Sequence, residues 1–239
     1  MSAKSRSLRS ADPGLSYVAA LIGEPARAAM LCALLDEGER PAGELALLGA
    51  VAANAASAHL AKLVAGGLIV ARTQGRQRLF RLSGPNVARA LEGLLAIAPP
   101  PKIVALSQSR TVGDLRAARS CYDHLAGQLG VAVTDALVER AVLVPEMQTY
   151  RLTPRGAGFF ASLDIDVEPL RSERRHFARQ CLDWSERRPH LAGALGCALR
   201  GAFLQRGWVT RRPAGRVLRV TPAGHEWLGA TLSIDLNGD

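Results

Sequence analysis

The order of apolar and polar residues between positions 43 and 82 predicts two short helices followed by a β-hairpin. The first predicted helix covers residues 43–48, and the turn Gly49-Ala50-Val51 leads into a second helix over about residues 53–65. Three apolar residues of the second helix recur at spacings that place them on one face: Leu60, Leu63 and Val64. Gly66-Gly67 is expected to end this helix, because glycine readily adopts the left-handed backbone conformation.

Two β-type runs follow, over residues 68–73 and 78–82, and the turn Gln74-Gly75 joins them. Three arginines flank this turn: Arg72, Arg76 and Arg78. A helix that fits the major groove, next to a hairpin with arginines at its tip, is typical of a device that reads DNA. The segment therefore predicts a winged helix-turn-helix.

The polar residues of this motif are the candidate DNA contacts. They are Asn54, Ser57, His59 and Lys62 on the second helix, and Arg72, Gln74, Arg76, Gln77 and Arg78 on the hairpin. For His59, packing at the junction of helix and wing is an alternative to a DNA contact. A merely solvated hairpin is the less favoured interpretation of the arginines.

The distribution of charge agrees with a polyanionic partner. The formal net charge is +9, and seven Lys or Arg residues but a single acid, Glu44, lie between Arg40 and Leu91. The C-terminal half carries charges of both signs, as an ordinary solvated surface does.

The flanking segments suggest the domain organisation. Residues 1–14 are expected to be a disordered arm, and residues 15–98 a winged-helix domain for DNA binding and dimerisation. A linker is expected over residues 99–109, where consecutive prolines cannot continue a helix. A short helix over residues 102–106 is one alternative within this linker. Residues 110–239 then form a second domain that senses an effector.

Three runs of residues resemble the ArsR family of bacterial transcriptional regulators: Gly23-Glu24-Pro25-Ala26-Arg27, Gly43-Glu44-Leu45-Ala46, and the spaced set Ser57, His59, Leu60, Leu63, Gly67, Leu68 and Ile69. The resemblance implies a homodimeric repressor that leaves its operator when an inducer binds. It also implies that helices over residues 15–22 and 87–98 form the dimer interface. The apolar stripe Val87, Ala90, Leu91, Leu94 and Leu95 supports that interface independently.

The chain departs from the ArsR pattern in two places. Members of the family often have Ser or Thr where Ala52 and Ala55 stand, so the second helix has a weaker cap and fewer base contacts. Phosphate contacts are then expected to carry more of the affinity. The Cys-x-Cys pair of the metal-sensing members is absent from residues 44–47.

The C-terminal half contains an internal repeat over about residues 118–163 and 178–232. Residues 124–143 and 190–209 are identical at nine of twenty positions without a gap. Each copy is predicted to be a helix, an apolar hairpin and a helix capped by Thr. Glycines at 127, 130, 193 and 196 are expected where the helices of the two halves cross. The fold class is therefore mainly α with small β-hairpins (α+β), with two pseudo-symmetric helix–hairpin–helix repeats after the winged helix.

The repeat duplicates a Cys and a His. Cys121 and His124 are predicted on one face of a helix, with Cys181 and His190 at the equivalent positions. Convergence of the two pairs would give a ligand set for zinc or another thiophilic metal, or a regulatory disulfide. Asp123 and Asp183 are candidates to orient the imidazoles. Core packing is the favoured alternative, because buried cysteines are common and a duplication also copies structural residues.

One copy carries an insertion, residues 184–189, and such a loop is a place where ligands bind. Trp184 offers stacking to an effector, and Arg187 and Arg188 offer anion contacts. A packed tryptophan in an exposed turn is an equal alternative.

The other function classes have less support. The chain lacks the motifs of nucleotide-cofactor enzymes and common hydrolases, so no catalytic residue is predicted. A thiol- or metal-dependent enzyme that uses the winged helix only for dimerisation is the alternative function. The expected partners are double-stranded operator DNA, a second copy of the chain, and an unknown small-molecule, metal or redox effector. The polar N-terminus and four scattered cysteines suggest a cytoplasmic protein without a membrane partner.

Overall fold

The computed structural model describes residues 14–36, 38–99, 106–212 and 215–236, the side chains of residues 106–109 excepted. It contains two compact units. The first comprises the chain up to Cys32 together with Arg40–Ser83, and the second comprises Ala33–Glu39 together with Gly84–Asp239. The predicted domain limits differ from this division, because residues 85–97 are grouped with the C-terminal unit.

The first unit has the order of elements of a winged helix-turn-helix. Its elements are α1 (Leu15–Ile22), α2 (Pro25–Ala33), β1 (Arg40–Pro41), α3 (Ala42–Leu48), α4 (Ala53–Ala65), β2 (Ile69–Gln74) and β3 (Gln77–Leu82). The strands form a sheet in the order β1-β3-β2. Strand β3 pairs antiparallel with both neighbours, and Gln74 lies opposite Gln77 at the tip of the wing.

Local sequence explains the ends of these helices. The Glu24 carboxylate accepts hydrogen bonds from the backbone N–H groups of Ala26 and Arg27 at 3.2 and 2.9 Å, so it caps α2. The buried Arg27 guanidinium donates to the carbonyls of Ala20 and Leu21 near the C-terminus of α1. Helix α4 begins after Ala52 without a side-chain cap, as the missing Ser or Thr predicts.

The second unit starts with two helices, α5 (Pro85–Ile97) and α6 (Leu106–Ala117). The remaining elements are β4 (Arg119–Cys121), β5 (His124–Ala126), α7 (Gly127–Glu139), β6 (Leu143–Glu146), β7 (Thr149–Leu152), α8 (Pro154–Ala161), α9 (Val167–Arg171), β8 (Arg179–Leu182), β9 (Pro189–Ala192), α10 (Gly193–Gln205), β10 (Val209–Arg211), β11 (Leu218–Val220), α11 (Pro222–Trp227) and a π-helical turn (Leu228–Leu232). The order hairpin, helix, hairpin, helix thus occurs twice.

This order corrects the expected one. Each copy of the sequence repeat begins with a β-hairpin where a helix was predicted, so the unit is a mixture of helix and strand. Outside the described residues lie most of the arm predicted over 1–14 and nearly all of the optional helix over 102–106. Helix α6 already begins at Leu106, inside the predicted linker 99–109.

The hairpins of the two copies pair with one another. Strand β7 of the first copy joins β8 of the second, which gives a four-stranded sheet in the order β6-β7-β8-β9. Conversely, β11 lies beside β4 through an antiparallel bridge between Val217 and Arg119. Each copy therefore extends the first hairpin of the other, which holds the hairpins β4–β5 and β8–β9 in one core.

Two of the four glycines let the helices lie directly on these hairpins. A Cβ atom on Gly130 would lie 2.5 Å from the Leu125 carbonyl oxygen, and one on Gly196 would lie 2.6 Å from that of Leu191. Gly127 and Gly193 have positive φ angles of 75° and 88°, and a Cβ on them would meet the carbonyl oxygens of Arg116 and His176. A crossing of the helices of the two halves was the expected reason, but Gly130 and Gly196 accommodate the hairpin that precedes each helix.

The predicted threonine caps are present in both copies. The Thr153 side chain accepts a hydrogen bond from Gly156 N at 2.9 Å, and the Thr221 side chain accepts one from Gly224 N at 3.1 Å. Among the described residues no single helix is long and apolar enough to cross a membrane. Helices α3 and α4 reach that length and hydropathy only as a pair, and they are bent by 101°.

We predict that Gly196→Ala destabilises the protein, whereas Gly201→Ala in the same helix does not. The first Cβ would overlap the Leu191 carbonyl, and the second meets nothing within 4 Å. We expect a loss of about 1–3 kcal/mol for Gly196→Ala from overpacking. Gly201→Ala should gain about 0.5–1 kcal/mol from helix propensity. Chemical denaturation measures both, and equal effects would contradict the close approach of helix and hairpin.

Candidate functional site

Helix α4 has an exposed polar face. The helix contains no acidic residue, so this face does not repel a polyanion. Asn54, Ser57 and Lys62 are exposed on it, while Ala56, Leu60 and Leu63 are buried on the opposite side. The Asn54 side chain accepts a hydrogen bond from Ala55 N at 2.8 Å, and the Ser57 hydroxyl donates to Ala53 O at 3.0 Å. Both groups are thus satisfied within the helix.

The wing exposes all five of its predicted contact residues: Arg72, Gln74, Arg76, Gln77 and Arg78. The Arg72 guanidinium donates to Gln74 Oε1 at 3.0 Å, and the Arg78 guanidinium lies 5.3 Å from the centre of the Phe80 ring. Gly75 has a φ of 59° and makes the tight turn between Gln74 and Arg76. The hairpin therefore carries three cationic groups on a rigid two-stranded support.

His59 differs from the other helix residues. Its Nδ1 atom lies 3.3 Å from Glu24 Oε2 and 3.4 Å from Arg27 Nη1. The side chain is therefore partly buried against the start of α2 and not at the predicted junction of helix and wing, and its contact with DNA stays a prediction.

The C-terminal unit brings the duplicated Cys and His residues together. Cys121 lies opposite His124 in the hairpin β4–β5, and Cys181 lies opposite His190 in the hairpin β8–β9. The prediction that Cys121 and His124 share the face of a helix is wrong, because they are cross-strand neighbours at a two-residue turn. The predicted convergence of the two pairs is nevertheless present: one ligand atom from each residue lies within 4.8 Å of the others.

The distances within this Cys/His cluster are short. Cys121 Sγ lies 3.8 Å from Cys181 Sγ, and His124 Nε2 lies 3.1 Å from His190 Nε2. All four side chains are buried, with at most 7% of any residue exposed. The small side chains of Ala126 and Ala192 pack against the two cysteines. The cluster is therefore a polar core at the junction of the two copies.

A carboxylate faces each imidazole. Asp123 Oδ1 lies 3.0 Å from His124 Nδ1, and Asp183 Oδ2 lies 3.5 Å from His190 Nδ1. Arginines balance both carboxylates. Arg175 lies 2.5 Å from Asp123, and the fully buried Arg119 lies 2.8 Å from Asp183. Both aspartates thus lie beside the histidines that the sequence pairs with them, and their role in orienting a ligand set stays a prediction.

The contacts shift the pKa values of these groups. The hydrogen bond between the thiols raises the pKa of Cys121 and lowers the pKa of Cys181, which the two imidazoles also stabilise as a thiolate. Burial alone would lower the pKa of His124, but Asp123 and Cys181 outweigh it and raise this pKa to about 9. Burial likewise opposes ionisation of Asp183, yet Arg119 holds the pKa of this carboxyl well below its usual range.

The inserted loop does not add Trp184 to the cluster. Its ring packs against the guanidinium of Arg119, whose carbon lies 4.5 Å from the ring centre. The Asp183 carboxylate also accepts hydrogen bonds from the backbone N–H groups of Ser185 and Glu186, which shapes the loop. Trp184 thus takes the packed role that the sequence left open.

A cavity of about 630 Å³ opens over the cluster. Helix α5 lines one side of it, and Cys121, His124 and Cys181 are among the residues on the other side. Four arginines also line it: Arg89, Arg174, Arg175 and Arg179. The cavity can hold a small molecule or admit an ion to the cysteines, and its walls favour negative charge.

Sequence reasoning missed Arg119 and Arg175. The sequence did contain a pattern that points to Arg119, because Arg119 and Arg179 occupy equivalent positions in the two copies, two residues before the cysteines. Arg175 has no equivalent in the first copy. Its position in the segment between α9 and β8 becomes informative only after folding.

No protein-family model matches the chain. The HTH-type transcriptional regulator YdfF of Bacillus subtilis (strain 168), itself uncharacterized, is 43% identical over 213 residues, which are 89% of this chain and 94% of YdfF. A match of this length includes both units. The chain belongs to this family of HTH-type transcriptional regulators. The predicted DNA-binding transcriptional regulator with a helix-turn-helix is thereby confirmed, and its assignment to the ArsR type stays a resemblance.

Solved structures resemble the N-terminal part of the regulator. HlyU from Vibrio cholerae is 29% identical, with 33% of this chain and 85% of HlyU covered and a TM-score of 0.31. The cadmium sensor CMTR from Mycobacterium tuberculosis is 31% identical, with 38% and 99% covered and a TM-score of 0.31. The homodimeric winged helix-turn-helix domain Mb0332 from Mycobacterium bovis is 30% identical, with 34% and 75% covered and a TM-score of 0.32.

We predict that Arg119→Met destabilises the regulator by about 3–5 kcal/mol, because it leaves the buried Asp183 carboxylate without its cation. Chemical denaturation followed by circular dichroism measures this loss. The matched control is Arg151→Ala, which removes an arginine from an exposed ion pair with Glu146. The control should lose less than about 1 kcal/mol, and an equally small loss for Arg119→Met would contradict the role given to Arg119.

Proposed function

We propose that the regulator is a homodimeric repressor that binds operator DNA through α4 and the wing and is released by an effector of its C-terminal unit. The single observation that carries this proposal is the exposed polar face of α4 next to three exposed wing arginines. Membership of the HTH-type regulators supports DNA binding. Dimerisation, repression and release by an effector are proposals that this membership does not establish.

Helix α4 supplies few groups that distinguish bases. Asn54 and Ser57 are its exposed hydrogen-bonding side chains near the N-terminus, and both must exchange an intrahelical hydrogen bond for a base. The exposed alanines around them offer contacts only to apolar base edges such as thymine methyl groups. Arg76, Arg78 and Lys62 carry charge to the phosphates, so affinity is expected to depend strongly on salt.

The first test is binding to an operator selected from a pool of genomic fragments, with retardation measured against competitor DNA. We predict that Arg76→Ala and Arg78→Ala weaken binding to every sequence. Each should reduce the slope of log affinity against log salt by about one unit per phosphate contact. Changes at Asn54 or Ser57 should alter sequence preference instead.

The matched control is Arg151→Ala, an exposed arginine in strand β7 of the C-terminal unit, whose replacement lowers the net charge by the same amount without a change in the sequence of the winged helix. It should leave the salt slope unchanged. If the wing variants behave like this control, the wing does not contact phosphate. If the wild type does not prefer any fragment over competitor, operator recognition itself is wrong.

Exposed apolar side chains support the proposed dimer. On α1, Leu15 and Tyr17 are 76% and 56% exposed, and on α5, Leu94 and Ile97 are 44% and 80% exposed. Such residues on two amphipathic helices need a covering surface. Leu91, which the sequence placed in the interface, is already buried in the single chain, at 4% exposure. It therefore serves the fold of one chain.

We predict that the double variant Tyr17→Glu/Ile97→Glu is a monomer with much weaker operator binding, because each dimer would bury charges in its interface. Sedimentation at micromolar concentration measures the assembly. Met147→Glu is the control, since Met147 is 99% exposed at the tip of another hairpin. A wild type that sediments as a monomer would overturn the dimer.

The arginine-lined cavity of the C-terminal unit supports an effector site. It lies against α5, and its volume suits a small anionic molecule or an ion bound at the Cys/His cluster. A thiol-dependent enzyme is the rival, since Cys181, His124 and Asp123 combine a thiol, an imidazole and a carboxylate. The relationship to a transcriptional regulator over both units favours sensing over catalysis.

A further inference from the structure

The Cys/His cluster has the donor set of a tetrahedral metal site. Two thiols and two imidazoles converge from two hairpins, and in the part of the chain that the structure describes this is the one group of metal-ligating side chains found together. Two sulfur and two nitrogen ligands are one of the common ligand sets of closed Zn²⁺ sites in proteins.

The distances also fit such a site. Around a tetrahedral Zn²⁺, with Zn–S of about 2.3 Å and Zn–N of about 2.0–2.1 Å, two sulfurs lie about 3.8 Å apart and two nitrogens about 3.3 Å apart. The observed separations are 3.8 Å for Sγ–Sγ and 3.1 Å for Nε2–Nε2. The largest separation between ligand atoms is 4.8 Å, and closing it by roughly 1 Å completes a tetrahedron.

The two imidazoles direct the same ring atom at one point. His124 is held by the contact between its Nδ1 and Asp123, and His190 Nδ1 lies 3.5 Å from Asp183. The two Nε2 atoms lie 3.1 Å apart, a separation at which the imidazoles hydrogen-bond to each other. A metal ion that takes both Nε2 lone pairs replaces this hydrogen bond without a change in the direction of either ring.

The surrounding charges leave room for a divalent ion. Arg175 balances Asp123 and Arg119 balances Asp183, so neither carboxylate needs the metal for neutrality. Two thiolates and one M²⁺ are together neutral, which a buried core tolerates. Binding requires two thiolates and two imidazoles with free Nε2 lone pairs, so it releases the protons that the cluster holds to solvent.

We propose that Cys121, His124, Cys181 and His190 bind one Zn²⁺ or similar thiophilic divalent ion per chain in tetrahedral coordination. The ion fastens the hairpin β4–β5 to the hairpin β8–β9. This site goes beyond the proposed repressor, because it exists whether or not the ion controls DNA binding. A disulfide between Cys121 and Cys181 would explain two of the four residues and neither aspartate.

The test uses the reduced full-length chain, stripped with chelator and titrated with Co²⁺ under anaerobic conditions. We expect one Co²⁺ per chain, with thiolate-to-metal charge transfer and the intense d–d bands of tetrahedral cobalt. Zn²⁺ should displace the Co²⁺ and protect two of the four thiols from modification. No uptake, or an octahedral spectrum, overturns the proposal without any variant.

The variants test which thiols bind. Cys121→Ser and Cys181→Ser should each weaken Co²⁺ binding by more than about 100-fold, the upper end of the loss caused by outer-shell changes. The control, Cys32→Ser/Cys197→Ser, keeps both cluster thiols and should bind like the wild type. Equal affinity in Cys121→Ser and wild type overturns the site. Because these readouts need no DNA, their failure is distinct from a failure of operator binding.

Discussion

The buried Asp183 carboxylate is the contact on which the C-terminal unit depends. It binds Arg119 of the first hairpin, accepts a hydrogen bond from the Gly127 amide at the start of α7, and shapes the loop of the second hairpin. One side chain thereby joins both copies of the repeat. The same carboxylate lies 3.5 Å from His190 Nδ1, so the ion pair that fixes the fold also borders the Cys/His cluster.

The winged helix could be predicted closely, because its elements are specified locally. Helix α4 covers residues 53–65 as the periodicity of Leu60 and Leu63 indicates, and the glycines at its end give the predicted stop. The strands of the wing are displaced by only one residue from the predicted runs. His59 could not be placed in this way, since its contact with Glu24 joins helices 35 positions apart in the chain.

The convergence of the Cys/His cluster could be predicted from the sequence, but the local structure of Cys121 and His124 could not. The reason for the error is geometric. Residues i and i+3 share a helix face, but they are also cross-strand partners at a two-residue hairpin turn. Cys121 and His124 use the second arrangement, with Tyr122 at a φ of 57° in the turn. The repeat itself carried the remaining information, because equivalent residues of two intertwined copies converge. The balancing Arg175 lies outside the repeat and left no pattern.

Helix α5 offers a physical route from the cavity to the proposed dimer surface. Arg89, Glu92 and Ala96 line the cavity, and Leu94 and Ile97 of the same helix are exposed. Glu92 is held by a buried ion pair with Arg216 at 2.6 Å, so one side of the helix is fixed to the hairpin region. A ligand shifts an equilibrium only by its differential affinity for two states. Coupling therefore requires that α5 take two positions relative to this ion pair, and Ile97, which lines the cavity and is exposed, would change its surroundings with them.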